Sequence, residues 1–415
     1  MAAPSRIFVS AGEASGDLYG SFLIQTLRHQ LGEIEFFGCG GEKMRAAGCR
    51  TLVDAGEIAM VGLLEVLPGL PRAWRALQNL RKALRSQPPD LAILIDFPDF
   101  NLRLVKTLRQ IGSPVVYFVA PQVWAWRRGR LKILRRYVDR LLCIFPFEEP
   151  FFQNAGIPAE FIGHPLVGRV RPRLSREEFQ VRFGLPEDRP WIALLPGSRR
   201  REILLNLPPM LEAAREIARH RKCCFLIPAA AAAAGEWLRD LVTKAELPAR
   251  VLENHAYDAL AYAEAAVVAS GTATIEAALL GAPMVVVYRV SGISWWLGRK
   301  LVRTPFYSMV NLVADREIVP ELIQDRFHPE AVAREIHQLM ESRVMKEKMS
   351  EGLQKVCEKL RPPVRPDQAR LRSTDDPPAP SPAMKNADAI QRAAAIVESI
   401  LKEVIASPDR PVGSF

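Results

Sequence analysis

The chain has 415 residues, 49% of them apolar and 25% charged. That is globular composition at a length of two or three domains, and it excludes a wholly disordered chain, a collagen-like fibre and a small disulfide scaffold. Lys and Arg number 56 against 46 Asp and Glu, a formal charge of +10, which favours an anionic partner: nucleic acid, a phosphorylated ligand or an acidic membrane surface.

In chain order, Met1–Arg6 leads straight into a strand-like run, so no secretory leader is expected. No stretch offers the roughly 18 consecutive apolar residues of a spanning helix. Strand-length apolar runs follow at Ile7–Ala11, Ile34–Gly38, Leu91–Ile95, Val115–Val119, Leu141–Phe145 and Glu160–Ile162. Amphipathic helical stretches such as Gly20–Gln30 and Arg72–Ser86 separate them. A second series begins after Pro165, with runs at Trp191–Leu195, Cys223–Pro228, Arg250–Leu252, Ala266–Ala269 and Pro283–Tyr288. Two tandem strand–helix series predict an α/β protein of two doubly wound, parallel-sheet domains, over 1–165 and 166–358. Arg361–Met384 holds seven prolines and few apolar residues, and reads as an extended linker over 359–386. Beyond it, Ile390, Val397, Ile400, Leu401 and Val404 recur at helical spacing. They predict a helix over 387–407 that docks back or exchanges with another subunit. The six cysteines lack C-x-x-C spacing and are expected to be free thiols in the core.

Polar or glycine-rich clusters directly follow six predicted strands: Gly12–Asp17 (with Glu13 and Ser15), Asp96–Asp99, Pro121–Trp126, Pro196–Arg199, Ser270–Thr272 and Tyr288–Arg289. In a parallel sheet all such loops share the carboxyl edge, where open α/β sheets bind ligands. They are therefore expected around one cleft. Ser270, Gly271 and Thr272 precede a helix whose N-terminus suits a phosphate. Glu276, one turn in, could accept from ribose hydroxyls. Gly197, Ser198 and Arg199 open another helix, and arginine suits bidentate phosphate contact. Together these loops predict a diphosphate site without a Walker P-loop.

Gly38–Gly41 resembles part of a dinucleotide fingerprint, but Lys43 stands where the third glycine belongs. Asp96, at the mouth of an apolar strand, is placed to act as a general base. Asp96 and Asp99 gain no further ligands nearby, so no metal is expected, and no other cofactor. Of the six histidines only His164, in Gly-His-Pro at the domain joint, lies beside the expected cleft. Leu70, Trp74 and Leu77 with Arg81 and neighbouring basic residues fit either a helix lying on an anionic bilayer or an ordinary amphipathic core helix. Arg127–Arg140 is a second basic region; Trp124 and Trp126 before it also suit nucleic acid, but no nucleic-acid motif accompanies them, so none is expected.

Ala11-Gly-Glu-Ala-Ser-Gly-Asp17, Val61–Val66, Ile95-Asp-Phe-Pro-Asp-Phe-Asn101, Pro121-Gln-Val-Trp-Ala-Trp-Arg127, Phe145–Glu148, Phe161–Pro165, Leu194–Arg199, Ala269–Ala273 with Glu276, and Asn311-Leu stand in this order along the chain. Together they resemble the lipid-A-disaccharide synthases, a family of inverting glycosyltransferases. The resemblance implies the GT-B architecture of two Rossmann-like domains facing a cleft. It implies an acceptor-binding, membrane-facing first domain and a UDP-sugar-binding second one. The donor would be UDP-diacylglucosamine, the acceptor diacylglucosamine 1-phosphate, and the products a beta-1,6-linked disaccharide 1-phosphate and UDP. By resemblance Asp96 is the general base, Arg199 and Glu276 bind nucleotide, and Asn311 is a further site position. A cytoplasmic protein, peripheral on the inner membrane face and able to form a homodimer, is also implied. The competing expectations are a UDP-sugar epimerase of the same fold and a non-catalytic, membrane-attached phospholipid-binding protein.

Overall fold

The computed structural model describes residues 5–59, 66–125, 127–229, 232–290, 292, 295, 304–363 and 388–406. Trp126 and nearly all of the expected linker lie outside them. The chain divides into two compact units. One runs to Pro165 and resumes at Leu360; the other is Leu166–Lys359.

The first unit is built on seven strands: β1 (Ser5–Ala11), β2 (Ile34–Gly40), β3 (Cys49–Asp54), β4 (Leu91–Ile95), β5 (Val115–Phe118), β6 (Arg140–Cys143) and β7 (Ala159–Phe161). Their order is β3-β2-β1-β4-β5-β6-β7, and all pairings are parallel. Both faces are covered, which is why Leu-Ala-Ile-Leu-Ile is an unbroken apolar run. Phe8, Phe37, Leu94, Tyr117 and Leu141 point to one face, where they pack with Leu77, Leu80 and Leu84 of helix Val66–Ser86 and Phe152 of helix Glu148–Asn154. The other face takes helix Ala14–Leu31, whose Gly16 and Gly20 approach Ile95. Helix Ala389–Ala406 packs on that helix, burying Ile390, Val397, Ile400 and Leu401. Each such burial is worth about 1.5–3 kcal/mol.

The second unit has six parallel strands: β8 (Trp191–Leu195), β9 (Cys224–Ala229), β10 (Ala249–Glu253), β11 (Ala265–Ala269), β12 (Met284–Tyr288) and β13 (Glu321–Ile323), in the order β10-β9-β8-β11-β12-β13. The sequence patterns do not foresee β3 and β13. The edge strand β3 alternates buried Cys49 with exposed Arg50, and β13 is three residues long and begins with a buried glutamate. Neither presents the continuous apolar run of the inner strands. The six cysteines are free thiols, five of them buried.

The same topology places a ligand crevice in each unit. Connections run outward from β1 through β2 to β3, then restart on its other side at β4. They do the same from β8 through β9 to β10, then restart at β11. Such reversals open a crevice outside the carboxyl ends of the two neighbouring strands, here β1 with β4 and β8 with β11.

Candidate functional site

The β1–β4 crevice of the first unit is formed by the loops that begin at Gly12 and Asp96. Asp96 and Phe97 both adopt the left-handed backbone conformation, with φ of 45° and 48°, at a cost of roughly 1 kcal/mol or more each. Buried Asn101 holds this turn. Its amide nitrogen lies 2.8 Å from the Asp96 carbonyl and 3.2 Å from those of Ser10 and Ile95, and its oxygen accepts from Ser10 Oγ at 2.6 Å. The Tyr117 hydroxyl also donates to the Asp96 carbonyl, at 2.6 Å. A Cβ at Gly12 would stand 2.1 Å from the Phe97 ring, so this glycine admits Phe97 rather than a ligand. The outcome is a partly exposed Asp96 side chain on a braced turn, with Glu13 and Ser15 across the crevice at the start of helix Ala14–Leu31.

Next along this edge is the loop after β5. Trp124 donates from Nε1 to Glu148 Oε1 at 3.1 Å and packs edge-on against Phe147. Glu148 is fully buried and accepts from the main-chain N–H groups of Ile144 and Phe145. Burial raises its pKa to about 8; those hydrogen bonds oppose the shift, and the charge of Asp96 adds to it. Through these contacts Glu148 holds Trp124 in place.

The second unit's crevice is more open. Gly271, at the end of β11, has φ 155° with no atom of the described residues within 4 Å of where a Cβ would point, so those residues leave the backbone open there. Helix Thr272–Leu279 starts beside it, and Ser270 Oγ donates to the Tyr307 carbonyl. Glu276 accepts from Tyr257 Oη at 3.0 Å, which fixes its carboxylate. At the end of β8, the Arg199 side chain is 55% exposed and pairs with Glu202 at 3.4 Å. Glu202 Oε2 also accepts from the N–H groups of Ser198 and Arg199. A carboxylate from the same chain thus meets the Ser198 and Arg199 amides, while the Arg199 guanidinium is partly exposed. Tyr288 lies in the field of Glu202, Arg199 and Arg201, and burial raises its pKa. Buried Asn206 ties the two ends together, donating to the Pro196 carbonyl and accepting from Arg289 N–H.

Other expectations are corrected by how the side chains are used. Asp17 turns away from the crevice and caps helix Glu42–Ala46, accepting from Gly41, Lys43 and Met44 N–H at 2.7–3.1 Å. It fills with a carboxylate the place a dinucleotide phosphate would take in a complete fingerprint. His164 is a core imidazole packed against Tyr19 and Phe145, with its pKa lowered by burial to about 3. Asn311 is buried, and both ends of its amide are engaged: Nδ2 donates to Val319 O and Glu321 Oε1, and Oδ1 accepts from Ile318 and Val319 N–H. No capacity remains for a ligand. Leu77 faces the core and Arg81 donates to the Arg103 carbonyl, so neither is free for a bilayer. Trp74 is 60% exposed; the Leu70 side chain lies outside the described residues.

Asn101, Glu148, Glu202, Asn206 and Tyr257 each hold a functional group in place. Asn101 and Glu148 end two of the family-like segments, and Glu202 stands at the third position of its helix, where a carboxylate reaches back to the cap; the bracing roles of Asn206 and Tyr257 have no local signal. Among the described residues no group of three or more His, Cys, Asp or Glu side chains could hold a metal ion, and no helix is long and apolar enough to cross a membrane.

Comparison with known proteins now bears on this geometry. The fold is that of the GT-B glycosyltransferases: the calicheamicin glycosyltransferase CalG4 superposes with a TM-score of 0.57 at 15% identity, covering 97% of this chain and 99% of that one. A UDP-GlcNAc 2-epimerase from Neisseria meningitidis, solved with UDP-GlcNAc, gives 0.58 at 12% identity over 86% of this chain and 99% of its own. At such identities the likeness is one of fold alone. The sequence separates the two activities. The lipid-A-disaccharide synthase of Solibacter usitatus (strain Ellin6076) is 49% identical over 355 residues, 86% of this chain and 93% of that protein. The model of the lipid-A-disaccharide synthetase family matches residues 7–373. The chain belongs to that family, glycosyltransferases of lipid A biosynthesis that join a UDP-sugar donor to a sugar acceptor.

Proposed function

We propose that the two crevices divide the reaction, with the acceptor hydroxyl activated at Asp96 and UDP held in the second unit. The donor is UDP-diacylglucosamine and the acceptor diacylglucosamine 1-phosphate. Asp96 takes the proton from the acceptor's 6-hydroxyl as its oxygen attacks the anomeric carbon. The new C–O bond forms as the bond to the diphosphate breaks, with inversion, and UDP leaves with the electron pair. Arg199 and the Gly271 backbone stabilise the charge that grows on UDP, while Glu276, steadied by Tyr257, accepts from the ribose. Exposed Trp74 with Arg72 and Arg75 beside it attaches the protein to the anionic inner face of the cytoplasmic membrane.

The observation that carries this reading is the contrast between a braced carboxylate on a strained turn in one crevice and an open, arginine-flanked glycine in the other. Identity to curated synthases over most of the chain favours a transferase over an epimerase or a phospholipid-binding protein. Incubation with acylated UDP-glucosamine and acylated glucosamine 1-phosphate should give disaccharide and UDP in equal amounts. An epimer formed from UDP-N-acetylglucosamine alone, with no disaccharide, would overturn the reading.

A further inference from the structure

The mechanism leaves unused a buried carboxyl in the last strand of the second sheet. Glu321 opens β13 and is 7% exposed, whereas β8 to β12 begin with Trp191, Cys224, Ala249, Ala265 and Met284. β13 pairs with Val286, Val287 and Tyr288, the carboxyl end of β12, so Glu321 stands near the edge where the ligand crevice opens. Tyr307 N–H donates to its Oε2 at 2.8 Å, and Ser308 N–H, Ser308 Oγ and Asn311 Nδ2 donate to its Oε1 at 2.8–2.9 Å. Burying a carboxyl is costly unless such bonds are made, and here they are all spent on one short segment. Ser308 Oγ in turn caps helix Met309–Ala314 by accepting from Asn311 N–H, and that helix packs on helix Thr272–Leu279. The Tyr307 carbonyl accepts from Ser270 Oγ at 2.8 Å, while Ser270 N–H donates to the Val287 carbonyl. An unbroken path of hydrogen bonds therefore runs from Glu321 through the Tyr307 backbone to the Ser270 hydroxyl, next to Gly271.

We propose that Glu321 is a positioning residue for the diphosphate site: through Tyr307 it sets Ser270, and with it the Gly271 backbone that UDP meets. This rests on the reading above that UDP is held in the second unit, and it names what holds that site ready. Stabilising the charge that grows on a leaving group depends on donors fixed before the reaction. Glycine is the most permissive residue of the chain, so Gly271 needs restraint from its neighbours. The Ser270–Tyr307 bond and its Glu321 anchor supply it.

The test is a double-mutant cycle read by UDP calorimetry on Glu321→Gln, Ser270→Ala and the pair, with Asn311→Ala alongside. Glu321→Gln keeps the size of the side chain but has a single acceptor oxygen, so either Tyr307 N–H or the donors of Ser308 and Asn311 lose their partner. Each single change should weaken UDP about 10-fold, and the pair no more than either alone, because both cut the same path. Asn311→Ala leaves Tyr307 on Oε2 and should bind UDP like the wild type despite its lower stability. If Glu321→Gln does not fold, Glu321→Asp, with the carboxylate on a shorter arm, takes its place in the cycle. Losses that add in the pair, an affinity unmoved by the Glu321 change or by Ser270→Ala, or an equal loss in Asn311→Ala would each overturn the inference. Wild-type protein that binds no UDP overturns instead the reading on which it rests, a result distinct from UDP binding that the variants leave unchanged.

Discussion

The two crevices arise from one topological rule yet are finished differently. Between β1 and β4 the loops pack on each other: Phe97 fills the space over Gly12, and Asn101 stitches Ser10, Ile95 and Asp96 together. The strained turn is held by hydrogen bonds on its carbonyls. Between β8 and β11 the backbone at Gly271 stays bare and the Arg199 side chain is exposed. A group that must transfer a proton needs a fixed position, whereas a site for a leaving diphosphate needs donors and room. The difference teaches that a shared fold sets where the chemistry sits, and that side chains bracing or vacating the switch point set what it is.

If the braced crevice is the reactive one, the largest effect comes from Asp96→Asn. That change keeps the turn and the size of the side chain but removes the base, and should lower kcat by about 10²–10⁴-fold in a disaccharide-formation assay. The open crevice is broken next by Arg199→Ala, which should weaken UDP by about 10- to 100-fold in calorimetry. Asn311→Ala sharpens the contrast from a third side. The residue is a buried strut whose loss strands the N–H groups of Ile318 and Val319 and removes donors to the Val319 carbonyl and Glu321, so unfolding free energy should drop by about 2 kcal/mol or more. UDP affinity of the folded protein should change little. A large loss of UDP affinity without loss of stability would return Asn311 to the ligand site.

A further effect concerns pH. Glu148 ordinarily titrates near 4.5 but in the fold near 8. Between those values the folded state keeps a proton that the unfolded chain has released. Stability therefore falls as pH rises through that window, by at most about 1.4 kcal/mol per pH unit from this group. In Glu148→Gln that contribution disappears while Trp124 keeps an acceptor. Urea unfolding at pH 5 and pH 8 should show a smaller drop in the variant than in the wild type; equal drops would mean that Glu148 is ionised in the fold.

Much of this architecture was legible in the sequence because fully buried parallel strands must be apolar throughout. Leu91–Ile95 and Trp191–Leu195 read as strands with the bounds they have in the fold. Their polar followers then mark the carboxyl edge. Less legible was which member of each polar cluster faces outward. Asp17 and Glu13 sit four residues apart in one motif, yet Asp17 is consumed by three backbone N–H groups contributed from 24 to 27 residues away in sequence. The Trp74–Leu84 stripe could serve a bilayer or a core; Leu77, Leu80 and Leu84 proved to face the core, leaving Trp74 on the outside. Such choices depend on packing partners distant along the chain, and local spacing holds no record of them.

The division of labour between the crevices is tested most directly by titrating UDP into Asp96→Asn and Arg199→Ala side by side, each scored also for turnover. If Asp96 is the base and Arg199 holds the leaving group, Asp96→Asn binds UDP like the wild type while inactive, and Arg199→Ala loses UDP affinity. Loss of UDP binding in Asp96→Asn, with wild-type affinity retained in Arg199→Ala, would contradict that assignment.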